Sequence, residues 1–188
     1  PSDTPQPKAT KKPQKKNTAN NEKTAAKSGR SRKAAAKDTT VASQKDKKHL
    51  AFNEEKGLSW PVKGKVLMKF SMTDAVYFKT LAQYRCNPAL IIGGKVGQNV
   101  KTAAAGEVLS VSKNDETGKT VTMNIGNGYT LTYGQLKAVS VKEGDELKAG
   151  ETIGKLAAPS TAYTEEGCNL YFKVEQNGTA VDPLLLLD

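Results

Sequence analysis

The sequence predicts an all-β domain, and three observations lead to that class. From residue 57 onward, short runs rich in β-branched and aromatic residues alternate with turn residues. No stretch of this part shows the sustained apolar spacing of about 3.6 residues that an amphipathic helix needs. Gly126-Asn127-Gly128 separates two such runs and is typical of a tight hairpin, because Gly and Asn tolerate positive φ. We therefore expect a compact antiparallel β-sheet domain over residues 57–188.

The first predicted strands lie between residues 62 and 112. A strand pair is expected over 62–70, broken at Gly64, and short apolar strands follow at 76–78 and 89–92. Residues 106–112 alternate, and Val108 and Val111 are the candidates that we expect to point inward.

Strands and turns also alternate through the second half of the domain. Strands are expected at 120–125, 129–133 and 169–175, with a last one around Val181. Gly144, Gly150 and Asn177-Gly178 supply the turns between them. We interpret the aromatic group Tyr77, Phe78 and Tyr84 as core, although a lip over a groove is the other interpretation.

Residues 1–56 differ sharply from the domain in composition. Residues 1–50 hold fourteen Lys and Arg against four Asp and Glu, whereas residues 51–188 hold fifteen of each, so the net charge of +10 belongs to the first part. Such a polar segment cannot bury enough apolar surface to offset the entropy lost on ordering. We predict a disordered, Lys-rich tail or stalk that is a solvated tether or is attracted to an anionic surface. It lacks interleaved aromatics and any groove-reading motif, which argues against specific nucleic-acid binding.

The beginning of the chain bears on localisation. No run approaches the roughly eighteen apolar residues needed to cross a bilayer. The chain starts with Pro rather than Met, which we interpret as a fragment or mature form that has lost a signal peptide or membrane anchor. The tail would then be a stalk between an anchor and the domain.

Two cysteines, Cys86 and Cys168, are too few to define a disulfide-built fold. Each immediately precedes a segment expected to line a groove, so they could come close. A bridge requires Cα atoms within about 7 Å, which spacing alone does not establish. Two free thiols are the default interpretation.

Short motifs over residues 60–184 follow one another in a specific order. They are Trp60-Pro61-Val62-x-Gly64, Val100-Lys101-x-Ala103-Ala104-x-Gly106-x-Val108, Gly128-Tyr129-x-Leu131-x-Tyr133-Gly134-x-Leu136, VKEGDELKAGETIGKL over 141–156, Asn169-Leu170-Tyr171-Phe172, and Asn177-Gly178 followed by Val181-Asp182-Pro183. Each motif is weak alone, but their joint order is specific. With them the chain resembles the lysostaphin-type, or LytM-like, zinc endopeptidases of bacterial cell walls.

The resemblance implies a zinc ion that polarises a peptide carbonyl and activates water. In the family, a His and an Asp four residues apart and the second His of a His-x-His pair hold the metal. Those positions fall on Asn87, Ile91 and Tyr171. The two proton-handling histidines fall on Gln135 and Asn169.

All five positions depart from the family pattern. Ile has no lone pair, amides are poor zinc ligands, and Asn and Gln do not shuttle protons near neutral pH. The only histidine of the chain is His49, in the tail. We therefore expect no bound zinc, no other cofactor and no catalysis. Burying Leu90 or Ile91 where the metal once sat would stabilise a metal-free core by about 1.5–3 kcal/mol.

The altered groove leaves two interpretations open. Its amides and Tyr171 could hold a peptide without cutting it. Alternatively, these side chains satisfy one another in a filled, idle cleft.

By analogy with inactive relatives, the resemblance implies a non-catalytic adaptor or regulator outside the cytoplasmic membrane of a bacterium. Such relatives activate wall amidases or bridge two membranes during sporulation. The expected partner is an envelope protein, and the alternative is a peptidoglycan-binding module that holds stem peptide in the groove. Residual metallo-endopeptidase activity ranks third.

Overall fold

The computed structural model describes residues 50–188. The predictions for residues 1–49, including most of the basic tail and its only histidine, lie outside the described residues. Within residues 50–188 the fold consists of β-strands and two short 3₁₀ turns, Glu54–Lys56 and Pro183–Leu185. No helix in this part is long and apolar enough to span a membrane.

Twelve strands are numbered in chain order. They are β1 (Val66–Met68), β2 (Ser71–Phe78), β3 (Gln83–Asn87), β4 (Leu90–Gly93), β5 (Asn99–Lys101), β6 (Gly106–Asn114), β7 (Gly118–Gly126), β8 (Tyr129–Lys137), β9 (Glu146–Leu147), β10 (Thr152–Leu156), β11 (Asn169–Gln176) and β12 (Thr179–Val181).

Ten strands form one antiparallel sheet, and the other two form a separate hairpin. The main path of the sheet runs β1-β4-β11-β8-β7-β6-β9, with β10 on β5 and β8 and with β12 on β11. β2 and β3 pair with each other. The expectation of an all-β antiparallel fold is confirmed.

The main core lies on one side of this sheet. Tyr133 of β8 is at its centre: its ring is 5.4 Å from that of Phe172, and its hydroxyl accepts a hydrogen bond of 2.9 Å from the Ala103 amide. Burial raises the pKa of Tyr133 well above its usual value. The hydroxyl therefore stays neutral. It accepts the hydrogen bond of a backbone amide that would otherwise be unpaired in the interior.

The predicted turns are confirmed. Asn127 and Gly128 join β7 to β8 with φ of 52° and 78°, and Asn177 and Gly178 join β11 to β12 with φ of 50° and 80°. Left-handed backbone of this kind is tolerated by Asn and Gly and by few other residues.

The prediction of an opening strand pair over residues 62–70 is wrong in part. Only Val66–Met68 forms a strand, and the chain bends before it. At Gly64 the backbone comes so close to β4 that an added Cβ would lie 1.7 Å from the Gly93 carbonyl oxygen. The glycine is therefore a point of close backbone approach rather than a break within a strand.

The prediction that Val108 and Val111 point inward is correct for the face of β6 on which they lie but not for the burial of Val111. Val108 is buried, but Val111 is 37% exposed. Val108 pairs with Met123 and Ser110 with Thr122, so Leu109 is an extra residue in β6. Because of this bulge, Val111 pairs with the buried Val121 and lies on the same face as Val108. Val111 is nevertheless exposed, since it lies beyond Gly106 and Glu107, the part of β6 that pairs with β9.

Two further expectations concern the hairpin and the domain boundary. Phe78 is buried, whereas Tyr77 and Tyr84 are exposed, so the interpretation of all three as core is wrong for the tyrosines.

Residues assigned by composition to the tail include Phe52, which is buried in the main core and donates its amide to the Ile125 carbonyl. Contacts with the domain therefore begin before residue 57.

Candidate functional site

The five predicted site positions are held by neighbouring strands. Ile91 of β4 is the direct partner of Tyr171 of β11, and Tyr171 also pairs with Gly134 of β8, next to Gln135. Asn169 begins β11, two residues before Tyr171, and Asn87 ends β3, four residues before Ile91. Sequence positions far apart thus meet because β4, β11 and β8 are consecutive in the sheet.

A second apolar cluster occupies the centre of this region. We call it the site cluster, and it consists of Met68, Phe78, Ala89, Ile91, Ala162 and Tyr163. Ile91 is fully buried in it, and the half-buried Tyr171 packs against it. Ile91, which the resemblance predicts at a carboxylate-ligand position, is thus part of an apolar cluster. Burial of that aliphatic chain stabilises the fold by about 1.5–3 kcal/mol.

Gln135 is buried and uses both ends of its amide. Its Nε2 donates to Ser160 Oγ at 3.0 Å and to the Glu116 carbonyl at 3.2 Å, and its Oε1 accepts from the Ser160 amide at 3.0 Å. Its backbone has φ of 64°, which is unusual for a residue with a side chain. The amide therefore joins the β6–β7 turn to the loop 157–168.

The two asparagines are also buried and bond to nearby backbone. Asn87 Nδ2 donates to the Lys69 carbonyl at 2.8 Å, and Asn169 Nδ2 donates to the Gly167 carbonyl at 2.7 Å. Asn169 Oδ1 is the one buried side-chain polar atom of the described residues that lacks a protein partner. A buried acceptor of this kind needs a donor, such as an ordered water molecule, to avoid a desolvation penalty.

Tyr171 is the site position with substantial surface. Burial, followed by the negative charges of Glu116 and Glu175, raises its pKa to about 12, and Arg85 opposes this shift. Burial likewise raises the pKa of the neighbouring Tyr163. Tyr171 is therefore a neutral phenol at physiological pH and not the phenolate that a metal prefers.

Two segments cover the site cluster and are tied to each other. The carboxylate of Glu166, in the loop 157–168, accepts from the Lys79 amide at 2.8 Å and from the hydroxyl of Thr80. The Glu165 amide donates to Thr80 Oγ1 at 2.8 Å. This set of contacts, which we call the loop clamp, holds the tip of the β2–β3 hairpin against the loop.

A second contact fixes the same hairpin from the side of β3. The guanidinium of Arg85 pairs with the carboxylate of Glu116 in the β6–β7 turn. Its Cζ also lies 4.7 Å from the centre of the Phe78 ring, which gives a cation–π contact. The hairpin is therefore attached at both its tip and its side.

The side chains at the five positions do not fit a zinc ion. Zinc sites use imidazole, thiolate or carboxylate groups, whereas these positions supply two asparagine amides, a glutamine amide, an isoleucine and a neutral tyrosine. Within residues 50–188, no group of three or more His, Cys, Asp or Glu lies close enough together to hold a metal ion. Cys86 and Cys168 are both free thiols.

A concave site of ligand size lies elsewhere. A cavity of about 490 Å³ opens between the segment Leu50–Ser59, the run Ala103–Gly106 and β9. None of the five predicted site residues lines it. The predicted groove and this concavity are therefore different parts of the surface.

Sequence reasoning missed Arg85, Ser160 and Glu166, which hold the covering segments. Glu166 is separated from Thr80 by 86 residues, and Ser160 from Gln135 by 25. Nothing in the motifs pairs these residues, because each is an ordinary polar residue in a turn or an exposed strand.

Comparison with known proteins decides the family. The model of Peptidase family M23 matches residues 86–183, which include all five site positions. The chain belongs to this family. The resemblance that the motifs predicted is thereby confirmed.

Individual relatives share the same region. The Lipoprotein NlpD/LppB homolog of Pseudomonas aeruginosa is 26% identical over 132 residues, covering 70% of this chain and 40% of that protein. Stage II sporulation protein Q of Bacillus subtilis is 28% identical over 133 residues, covering 65% of this chain and 46% of that protein. The chain thus spans less than half the length of these two curated relatives.

A solved structure shares the fold. A chain in the SpoIIQ-SpoIIIAH pore forming complex is 25% identical with a TM-score of 0.61, and the match covers 70% of this chain and 91% of that chain. Relatives of this chain thus include a lipoprotein and a sporulation protein.

Proposed function

We propose that this chain is a non-catalytic member of peptidase family M23 that binds a protein partner in the bacterial cell envelope, outside the cytoplasmic membrane. The observation that carries the proposal is Ile91, buried among apolar side chains at a metal-ligand position of the family. A fold that merely lost one ligand would retain the others. Here every ligand and proton-handling position differs, and the cluster stabilises the metal-free state.

The relatives support the adaptor part of the proposal. One is the partner of another protein in a pore forming complex, and one is a lipoprotein. Loss of catalysis leaves a β-rich domain whose surface can be used for recognition. The basic segment before it would serve as a stalk that carries the domain away from a membrane anchor.

The catalytic part is tested by metal content and activity together. The full chain is purified in the presence of zinc, its metal content is measured by mass spectrometry, and cross-linked cell wall is assayed for cleavage. We expect substoichiometric zinc and no cleavage. One tightly held zinc ion per chain, or cleavage stopped by a chelator, would overturn this part.

The adaptor part is tested by cross-linking in cells that express the full chain. We expect the same envelope protein to be recovered in independent preparations. Failure to recover any protein reproducibly would contradict the adaptor role.

Peptidoglycan binding through the former groove is the second candidate, and it depends on Tyr171. Asn87, Ile91, Gln135 and Asn169 are buried, so Tyr171 is the side chain that a stem peptide would reach. Sedimentation of the full chain with purified sacculi, at about physiological salt to screen the basic segment, tests this candidate. Binding that Tyr171→Ala weakens and Tyr171→Phe preserves would favour it over the protein adaptor.

A further inference from the structure

The sequence contains two Asn-Gly pairs, and both form hairpin turns. Asn127-Gly128 joins β7 to β8 and Asn177-Gly178 joins β11 to β12, with nearly the same left-handed φ values at the two turns. Asparagine followed by glycine is especially prone to deamidation, because glycine has no side chain to shield the backbone nitrogen that attacks the asparagine side chain. The two turns carry the same chemistry, so a difference in their reactivity must come from their surroundings.

The side chain of Asn127 is tied to the core. Its Nδ2 donates a hydrogen bond of 2.7 Å to the carbonyl of Phe52. Phe52 is itself buried, donates its amide to the Ile125 carbonyl and packs its ring against that of Tyr129. Deamidation would have to break the bond to Phe52, because Nδ2 is the nitrogen that leaves. This anchor therefore opposes the reaction at Asn127.

The side chain of Asn177 has no such anchor. Asn177 is exposed, and its hydrogen bond of 2.8 Å to the Gly128 carbonyl comes from the backbone amide. Its Oδ1 lies against Gly128, where the missing Cβ leaves room, but within residues 50–188 its Nδ2 donates to no protein group. The space beside Gly178 is also open, since an added Cβ there would have no heavy atom within 4 Å. Both residues of this pair are thus open to solvent.

The strands that flank the two turns also differ. β7 and β8 have nine residues each and lie inside the sheet, where β7 also pairs with β6 and β8 with β11. β12 has three residues and, among the described strands, pairs with β11 alone. A short strand with one neighbour opens locally at a lower free energy than long strands with two. Ring closure requires the fixed backbone of the turn to rearrange until the reacting atoms meet, so the β11–β12 turn should reach that geometry more often.

We propose that Asn177 is a site of spontaneous deamidation and that Asn127 is protected from it. The backbone nitrogen of Gly178 attacks Cγ of Asn177, the Cγ–Nδ2 bond breaks, and Nδ2 leaves as ammonia with the proton that the Gly178 nitrogen gives up through solvent. One water molecule then opens the succinimide ring at either carbonyl, which yields aspartate or isoaspartate without any change in oxidation state. The proposal does not depend on the adaptor function.

The isoaspartate product should loosen β12. It adds one negative charge and one backbone carbon to a two-residue turn that sets the pairing of Gln176 with Thr179. β12 leads into Asp182, whose carboxylate caps the 3₁₀ turn Pro183–Leu185 by accepting from the second amide of that turn. The modification therefore acts on the strand that connects β11 to the end of the described chain.

Incubation of the full chain at mildly alkaline pH tests the selectivity. The folded chain and the chain unfolded in urea are kept at the same pH and temperature, and aspartate and isoaspartate at both positions are quantified by peptide mass spectrometry with electron-transfer fragmentation. The two pairs should react at similar rates in the unfolded chain. In the folded chain we expect Asn177 to react faster than Asn127 by about tenfold or more, as for a turn with a lower opening free energy.

Two variants test the site and its product. Asn177→Gln should abolish the product at position 177 and leave Asn127 unchanged, because the longer side chain closes its ring far more slowly. Asn177→Asp has the charge of the product without the extra backbone carbon. Chain that carries isoaspartate at position 177, purified by ion exchange, should show amide exchange in β12 severalfold faster than Asn177→Asp.

The rates in the folded chain decide the proposal. Equal rates at the two positions, or a faster reaction at Asn127, would show that the anchor and the flanking strands do not control deamidation. No reaction at Asn177 over a period in which the unfolded chain reacts would equally overturn the proposal. Exchange in β12 that matches Asn177→Asp would contradict the expected loosening by the extra carbon.

Discussion

Gln135 shows at the residue scale how one buried amide joins two segments of this chain. The motifs predict a proton-handling position here, and the structure shows a buried amide that connects Glu116 and Ser160 and sits on left-handed backbone. An amide suits the position because it offers both a donor and an acceptor, and Ser160 needs both. Neither Asn87 nor Asn169 makes a hydrogen bond to another of the five positions, so the expectation that these side chains satisfy one another is wrong in that detail.

Replacing Gln135 by alanine should destabilise the domain strongly. The substitution leaves the Ser160 amide without its acceptor and removes the packing of a buried side chain, whereas the Glu116 carbonyl keeps its bond from the Ser160 hydroxyl. We expect a loss of about 2–4 kcal/mol in the free energy of unfolding. Urea denaturation measures the change. Gln83→Ala, at an exposed position, is the control and should change stability by less than about 0.5 kcal/mol.

Ionisation of Tyr171 should lower the folding stability of the domain at alkaline pH. Its pKa is raised from 10.0 to about 12 in the fold, so the folded state favours the neutral phenol. The associated stability is fully present below the pKa of the unfolded chain, near 10, and is lost as pH rises from 10 toward 12. The loss is on the order of 1 kcal/mol after allowance for solvent screening of the half-buried ring.

Comparison with Tyr171→Phe isolates this effect, because Tyr133 and Tyr163 are unchanged in both proteins. Unfolding free energies at about pH 9 and about pH 11 should converge or cross as the wild-type chain loses its advantage. Equal pH dependence of the two proteins would show that Tyr171 ionises freely in the fold.

At the scale of elements, the β2–β3 hairpin depends on the loop 157–168. It makes a two-stranded sheet of its own and has no strand neighbour in the large sheet. A two-stranded hairpin is marginal alone, so packing of Phe78 and the loop clamp must hold it. The bulge at Leu109 is a second feature that acts at the scale of elements. Its one extra residue changes the alternation of side chains in the part of β6 that follows it.

Glu166→Gln tests the loop clamp. The amides of Lys79 and Thr80 both point to the Glu166 carboxylate, and a neutral amide is a weaker acceptor than a carboxylate. Hydrogen exchange at Lys79 should become severalfold faster, with little change within the large sheet. Glu165→Gln, whose backbone alone takes part in the clamp, should leave exchange at Lys79 as it is in the wild type.

For the whole molecule, the first residue of the domain differs according to whether it is taken from composition or from packing. The charge imbalance ends near residue 50, but residues 50–56 contain enough polar side chains to be assigned with the tail. Phe52 packs its ring 5.0 Å from that of Tyr129, edge to face, and Leu58 pairs with Leu187 near the other end of the chain. The two ends of the described part are thus both fastened to the sheet.

Two truncations test this boundary. Removal of residues 1–49 should leave the free energy of unfolding nearly unchanged, whereas removal of residues 1–56 also deletes Phe52 and should lower it by about 3–5 kcal/mol, as for loss of a buried aromatic ring. Differential scanning calorimetry compares them. Equal stability of the two fragments would place the boundary at residue 57, as composition suggests.

The sequence by itself determined the fold class and the family. Turn residues such as Asn127-Gly128 act locally, and the family motifs are read from order and residue type alone. Only the tertiary structure decided that Ile91 and Tyr171 enclose an apolar cluster, that Gln135 is bonded to Ser160, and that Tyr77 and Tyr84 face outward. These features depend on contacts between distant segments and on strand register, where one extra residue such as Leu109 changes which side chains share a face of the sheet.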